Sequence, residues 1–234
     1  MQPETQNQSV QWGSSTDVAV SQNRVLRNTY LLLAVSLIPT IIGAAVGTSL
    51  FNFSFMRASP IIASLAVLAI FYGWIFMIEK NKNTSLGLYL LLGFTFFMGL
   101  LLGPLLQKTL GFRNGGQLVM MAAGGTAGVF FILSGIAANA KRDFSFLGKF
   151  VMVGVIVAML AVVANIFLQM PALSMALCAV FIILSSAIIL WQINDIVRGG
   201  ETNYISATLT LYVSIYNIFT SLLQILGIVG GDRD

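Results

Sequence analysis

Seven apolar stretches of about 20 residues each fill most of the chain and constrain its fold more than any other feature. A helix of that length crosses a hydrocarbon core about 30 Å thick. Lipid offers no hydrogen-bond partner to backbone amides and carbonyls, so single spanning segments are helical. Charged residues make up only 9% of the sequence, which leaves little for a soluble domain. The sequence therefore predicts an all-α membrane protein with a domain of seven transmembrane helices over residues 24–234.

The last apolar stretch, Tyr204 to Gly230, differs from the others because polar side chains interrupt it throughout. It is still long and uncharged enough to span a membrane. Polar groups in hydrocarbon cost free energy unless neighbouring helices or trapped water satisfy them. We therefore expect the seventh helix to be enclosed by the other six. Its polar residues are Tyr204, Ser206, Thr208, Thr210, Tyr212, Ser214, Tyr216, Asn217, Thr220, Ser221 and Gln224.

Several kinds of chemistry lack the residues that they need. Histidine is absent from the chain, which excludes Ser-His catalysis and His-based metal motifs. No Asp or Glu lies inside an apolar stretch, so an intramembrane aspartyl protease is excluded as well. Cys178 is the only cysteine, so the chain forms no internal disulfide. The sequence predicts no catalytic residue, no metal site and no cofactor.

The first 23 residues are rich in Gln, Ser, Thr and Asn and contain no long apolar run. This composition predicts a disordered tail. A cleavable signal peptide would need a basic start and an apolar core, and neither is present. The tail is either a solvated terminus without a role or a handle for a cytoplasmic partner.

Glycines spaced by four mark faces where two helices can approach closely. Gly43 and Gly47 lie in the first predicted span, and Gly99 and Gly103 lie in the third, which we expect Pro104 to end. The glycine-rich segment 124–128 resembles a phosphate loop only superficially, because it lies at membrane depth and no Lys follows it. We interpret it as a helix-packing face. Only Met170 and Pro171 separate the fifth and sixth spans, which predicts a tight hairpin.

The distribution of positive charge predicts the orientation in the membrane. Eight of the twelve Lys and Arg residues fall on the same side as the N-terminus. That side is therefore expected to be cytoplasmic, and seven crossings place the C-terminus in the periplasm. Basic and aromatic residues do not interleave as they do in nucleic-acid-binding proteins, so no nucleic-acid partner is predicted. The eight residues are Arg24, Arg27, Lys80, Lys82, Lys141, Arg142, Lys149 and Arg198.

Five segments of the chain form recognisable motifs: Gly124-Gly-Thr-Ala127, Asp143-Phe-Ser-Phe-Leu-Gly148, Ala164-Asn-Ile-Phe-Leu-Gln169, Pro171-Ala-Leu173 and Gly199-Gly-Glu-Thr-Asn-Tyr-Ile-Ser-Ala-Thr-Leu-Thr-Leu-Tyr-Val-Ser-Ile-Tyr-Asn-Ile-Phe219. These motifs resemble the bacterial Bax inhibitor-1 family, and in particular its YccA type. The resemblance extends from Val25 to Gly227 and is most specific near the C-terminus.

The resemblance implies a fold and a function. The fold is a seven-helix membrane bundle with the last helix at its centre. The function is that of a bacterial inner-membrane protein that binds the membrane-anchored ATP-dependent protease FtsH, together with HflK and HflC. Such a protein is a slow substrate of the protease and restrains its action on other membrane proteins. An unfolding motor needs an unstructured segment to grip, and residues 1–23 would supply one.

Other members of the family are pH-sensitive leak channels for calcium, and this resemblance implies an alternative function as a cation leak channel or transporter. Their mechanism depends on two acidic residues, which correspond here to Gln192 and Ser214. Neither side chain titrates, so the paired-carboxylate latch is missing. Together with Tyr212 and Asn217 they form a predicted polar core that would hold water or an ion.

Three charged residues follow the sixth span in a short polar patch: Asp195, Arg198 and Glu201. One interpretation is a solvated cytoplasmic loop with a helix cap. The other is a gate or a contact surface for the protease. The sequence leaves both open.

Overall fold

Seven α-helices and no strand make up the described part of the computed structural model, which covers residues 15–49, 59–139 and 144–231. Each helix is long and apolar enough to cross a membrane, the first one from Gln22 onward. The predicted all-α, seven-span fold is confirmed. The helices are α1 (Ser15–Ser49), α2 (Pro60–Lys80), α3 (Ser85–Leu110), α4 (Gly115–Asn139), α5 (Ser145–Leu168), α6 (Pro171–Arg198) and α7 (Tyr204–Val229).

Two predicted boundaries differ from the structure. Helix α1 begins at Ser15, so residues 15–23 are helical, and the rest of the predicted disordered tail lies outside the described residues. Helix α3 continues through Pro104 to Leu110, although Pro104 was expected to end it. A proline leaves the carbonyl four residues earlier without its helical N–H partner. That carbonyl belongs to Leu100, and it lies against α1.

Helices α1 and α3 cross at a contact that only glycine permits. A Cβ atom on Gly47 would lie 2.6 Å from the carbonyl oxygen of Leu100. A Cβ on Gly43 would collide with the carbonyl of Phe96, and one on Gly99 would collide with the carbonyl of Thr40. The predicted close packing of these glycines is therefore confirmed, and it brings the two backbones into direct contact.

The prediction of a helix-packing face over residues 124–128 is wrong for Gly124 and Gly128. A Cβ on Gly124 or Gly128 would meet no atom within 4 Å among the described residues. The buried side of α4 at this level is formed instead by Ala122 and Thr126. The glycines lie on the outer surface, beside Phe131 and Ile132, which are 71% and 65% exposed. Large exposed apolar side chains of this kind are what a lipid-facing surface requires.

Helix α7 lies at the centre of the bundle. No residue from Ile205 to Gly227 is exposed. Helices α1, α2, α3, α4 and α6 all pack against α7, whereas α5 packs on α6 and α2 and makes no close contact with α7. The predicted enclosure is confirmed, with five helices touching α7 and the sixth standing off from it.

The hydroxyls of α7 are tolerated at membrane depth because the helix itself satisfies several of them. Thr208, Ser214 and Thr220 each donate to the carbonyl four residues earlier, at 2.6, 2.8 and 2.9 Å. Such a bond uses a carbonyl that already belongs to the helix and therefore needs no partner from lipid.

The helix ends define two ends of the bundle. Asn81–Thr84 and Gly199–Asn203 lie at one end, here called the loop end, because Asn203 Nδ2 donates to the Lys82 carbonyl. Gln169 and Met170 lie at the opposite end, here called the hairpin end. The predicted tight hairpin is confirmed: Gln169 adopts a left-handed φ of 51°, and its N–H donates to the Asn165 carbonyl.

The α1–α3 contact predicts opposite effects of one added methyl group at two glycines. Gly99→Ala should lower the free energy of unfolding by about 1–3 kcal/mol, because the new Cβ meets backbone that cannot move independently. Gly128→Ala is the matched control and should be neutral or stabilising, by up to about 1 kcal/mol, through helix propensity. Thermal unfolding in detergent measures both, and equal transition temperatures for the two variants would contradict the contact.

Candidate functional site

Tyr212, the largest member of the predicted polar core, ties α7 to two other helices. Its side chain is 1% exposed. Its hydroxyl lies 2.7 Å from Thr40 Oγ1 of α1 and donates to the Thr95 carbonyl of α3 at 3.3 Å. Tyr216, one turn later, donates to the Met98 carbonyl of α3 at 3.2 Å. Tyr212 and Tyr216 thus join this face of α7 to α1 and α3 by hydrogen bonds, and the contact is here called the Tyr212 seam.

Gln192 and Ser214, at the positions that the family resemblance assigns to acids, are both buried. Ser214 Oγ donates to the Thr210 carbonyl at 2.8 Å. Gln192 is 3% exposed, and its Nε2 has no hydrogen-bond partner among the described residues. The amide nitrogen is a hydrogen-bond donor, so it suits a water or a carbonyl oxygen. The described residues also contain no group of three His, Cys, Asp or Glu that could hold a metal.

Asn217 lies away from the Tyr212 seam. It lines a cavity of about 520 Å³ near the hairpin end, bounded by α5, α6, α7 and the start of α2. The cavity lies where α5 stands off from α7. The structure therefore divides the predicted polar core: Tyr212 faces α1 and α3, and Asn217 faces a space shared with Asn165 and Cys178.

At the loop end, Asn203 joins the start of α7 to the α2–α3 loop, and it was not among the predicted site residues. Its Oδ1 caps α7 by accepting from Ile205 N at 2.9 Å and Ser206 N at 3.1 Å. Its Nδ2 donates to the Lys82 carbonyl at 3.0 Å and to Asn83 Oδ1 at 2.8 Å. An Asn directly before a helix is typical of a cap, so this role could have been predicted from the sequence. The bond to the α2–α3 loop could not have been predicted from it.

Glu79 was not among the predicted site residues either. Its carboxylate accepts from Ser206 Oγ at 2.7 Å and pairs with Lys82 Nζ at 3.1 Å. The pair with Lys82 is about one-third exposed on both sides, so solvent screens it strongly. The more specific contact is the one with Ser206, because it joins the end of α2 to the start of α7.

The three charged residues of the polar patch surround the end of α6. The Asp195 carbonyl accepts from Gly200 N at 2.9 Å, and Gly199 has a φ of 80°, the left-handed conformation typical of a helix C-terminus. Glu201 Oε1 accepts from Asn203 N at 2.7 Å, and Arg198 is exposed. These bonds show the predicted helix cap, but Asp195 and Arg198 belong to the last turn of α6, and only Glu201 lies in the loop. The contact-surface interpretation stays a prediction.

The capping and bridging bonds of Asn203 can be separated by two substitutions. Asn203→Ala removes both and should lower the free energy of unfolding by about 1–2 kcal/mol. Asn203→Asp keeps the capping oxygen but loses the amide donor, so a smaller loss is expected. Thermal unfolding in detergent compares the two with the parent chain. An Asn203→Ala variant that unfolds at the parent's temperature would contradict this role.

The chain matches a family model over residues 22–231, which is nearly all of the described structure. The family is described as inhibitor of apoptosis-promoting Bax1.

Three similar proteins come from Gram-negative bacteria. A Neisseria meningitidis serogroup A protein without an assigned function is 46% identical over 91% of this chain and 94% of its own. An Escherichia coli K12 protein named modulator of FtsH protease YccA is 45% identical, with the same two coverages. An Escherichia coli O6:H1 protein named inner membrane protein YccA is likewise 45% identical.

Proposed function

The chain belongs to the family described as inhibitor of apoptosis-promoting Bax1, and from that premise we propose that it modulates the membrane-anchored protease FtsH. It is a multi-pass inner-membrane protein. The observation that carries the proposal is its 45% identity, over 91% of its length, to a protein named as a modulator of FtsH. In the proposal it binds the protease, with HflK and HflC, as a slow substrate that restrains degradation of other membrane proteins.

The orientation in the proposal follows the positive-charge distribution. The N-terminus and the loop end face the cytoplasm, and the hairpin end faces the periplasm. Residues 1–14, which precede α1, are then the segment that the protease grips. Their composition of Gln, Asn, Ser and Thr suits that role.

The packing of α1 supports slow rather than fast degradation. A motor that pulls from the N-terminus must first extract α1. That helix is held against α3 by the backbone contact at Gly43, Gly47 and Gly99, and against α7 by the bond of Thr40 to Tyr212. Close-packed backbones and buried hydrogen bonds must separate together, which raises the barrier to extraction.

The loop end supplies the proposed contact surface. Arg198 is exposed there, Glu201 is partly exposed, and Asn203 bonds fix the loop against the α2–α3 connection. A loop held in one conformation loses little entropy on binding. A charged, fixed surface next to the gripped tail would orient the chain on the protease.

Deleting residues 2–14 should lengthen the lifetime of the chain in cells that contain FtsH, because the motor loses its grip. The matched control replaces the same residues by a Gly/Ser sequence of equal length, which should keep the parent's turnover. Pulse-chase measurement of chain lifetime tests both variants. Turnover that is unchanged by the deletion would contradict the proposal.

We do not propose a cation leak for this chain, although the family resemblance implied one as an alternative function. Its two acidic positions hold Gln192 and Ser214, and neither side chain titrates. No observation on the described residues favours calcium or another cation as a ligand.

A further inference from the structure

The cavity near the hairpin end has the dimensions of a ligand site. Its volume of about 520 Å³ lies within the range of about 300–1,000 Å³ that is usual for small-molecule pockets. Pro60 at the start of α2 and Gln169 at the end of α5 line it, so it reaches the surface at the hairpin end. It is separate from the loop end, where the proposed protease contact lies.

The lining combines apolar side chains with uncharged polar ones, and it carries no charge. None of its residues is Asp, Glu, Lys or Arg. Asn217 contributes an amide that makes no hydrogen bond to another described residue, and Gln224 Oε1 accepts from Cys178 Sγ at 3.3 Å. An amide offers a donor and an acceptor side by side. The cavity can therefore match a neutral molecule that carries both.

Polar groups continue inward from the cavity along α6. Ser185 and Gln192 lie seven and fourteen residues after Cys178, which places all three on one face of the helix. Ser185 is 1% exposed, and neither Ser185 Oγ nor Gln192 Nε2 has a hydrogen-bond partner among the described residues. The α6 face behind the cavity is thus suited to water or to a neutral hydrogen-bonding group.

We propose that this cavity binds a small uncharged molecule of the amide or polyol class, which enters from the hairpin end. An ion would find no opposite charge in the lining. An acyl chain would leave the Asn217 amide without a hydrogen-bond partner. A neutral molecule with a donor and an acceptor needs no opposite charge and can form hydrogen bonds with the Asn217 amide. The site does not depend on the proposed protease function.

Thiol labelling of the full chain in proteoliposomes tests the proposal, because the single cysteine, Cys178, lines the cavity. The reagents are methyl methanethiosulfonate, which is neutral, and its trimethylammonium-ethyl and sulfonatoethyl derivatives, which are charged. The neutral reagent should react about tenfold faster than either charged one, since the cavity pairs neither charge. Acetamide in the buffer should slow the neutral reagent several-fold, whereas acetate at equal osmolality should not.

Variants of the same chain supply the controls. Asn217→Leu should abolish protection by acetamide, because it removes the unpartnered amide. Ser221→Cys in a Cys178→Ser chain is a second reporter in the lining. Val180→Cys in that chain is a reporter on the outer surface of α6, where acetamide should have no effect. The proposal is overturned if neither lining cysteine reacts with the neutral reagent, if all three reagents react equally fast, or if acetamide and acetate protect alike.

Discussion

A polar side chain inside a hydrocarbon layer has to find its hydrogen-bond partner within the protein, and this constraint governs the position of α7. Some hydroxyls of α7 bond to its own backbone, as Ser214 does at 2.8 Å. Others reach neighbouring helices, as Tyr212 reaches α1 and α3. The second solution requires neighbouring helices around α7, and no residue from Ile205 to Gly227 is exposed. The other helices are arranged to provide that cover.

The glycine contact makes this arrangement possible. Because Gly43 and Gly99 let α1 and α3 touch through their backbones, Thr40 and Thr95 come close enough to share the Tyr212 hydroxyl. On the other side of the bundle, α5 stands off from α7, and the cavity lined by Asn217 lies there. The bundle thus has a tightly joined side and an open side. The first suits resistance to extraction, and the second suits a small ligand.

The sequence predicted the number, type and enclosure of the helices, because hydropathy averaged over a whole span depends little on which residue touches which. It did not predict partners. Gly99 and Gly124 have the same local pattern, yet only Gly99 meets another backbone. Asn203 and Lys82 are 121 residues apart, and Tyr212 and Thr40 are 172 apart, so no local signal joins them. The polar core was predicted as one site because spacing along α7 does not show which neighbour each face meets.

Lipid-phase labelling measures the enclosure of α7 most directly. A photoactivated carbene carried in the acyl-chain region of proteoliposomes modifies the side chains that lipid touches, and mass spectrometry locates them. The structure predicts strong modification of α4 at Phe131 and Ile132, which are exposed, and none over residues 205–223 of α7. Modification of residues 205–223 as strong as that of α4 would contradict the enclosed helix, and with it the packing from which the proposed resistance to the protease follows.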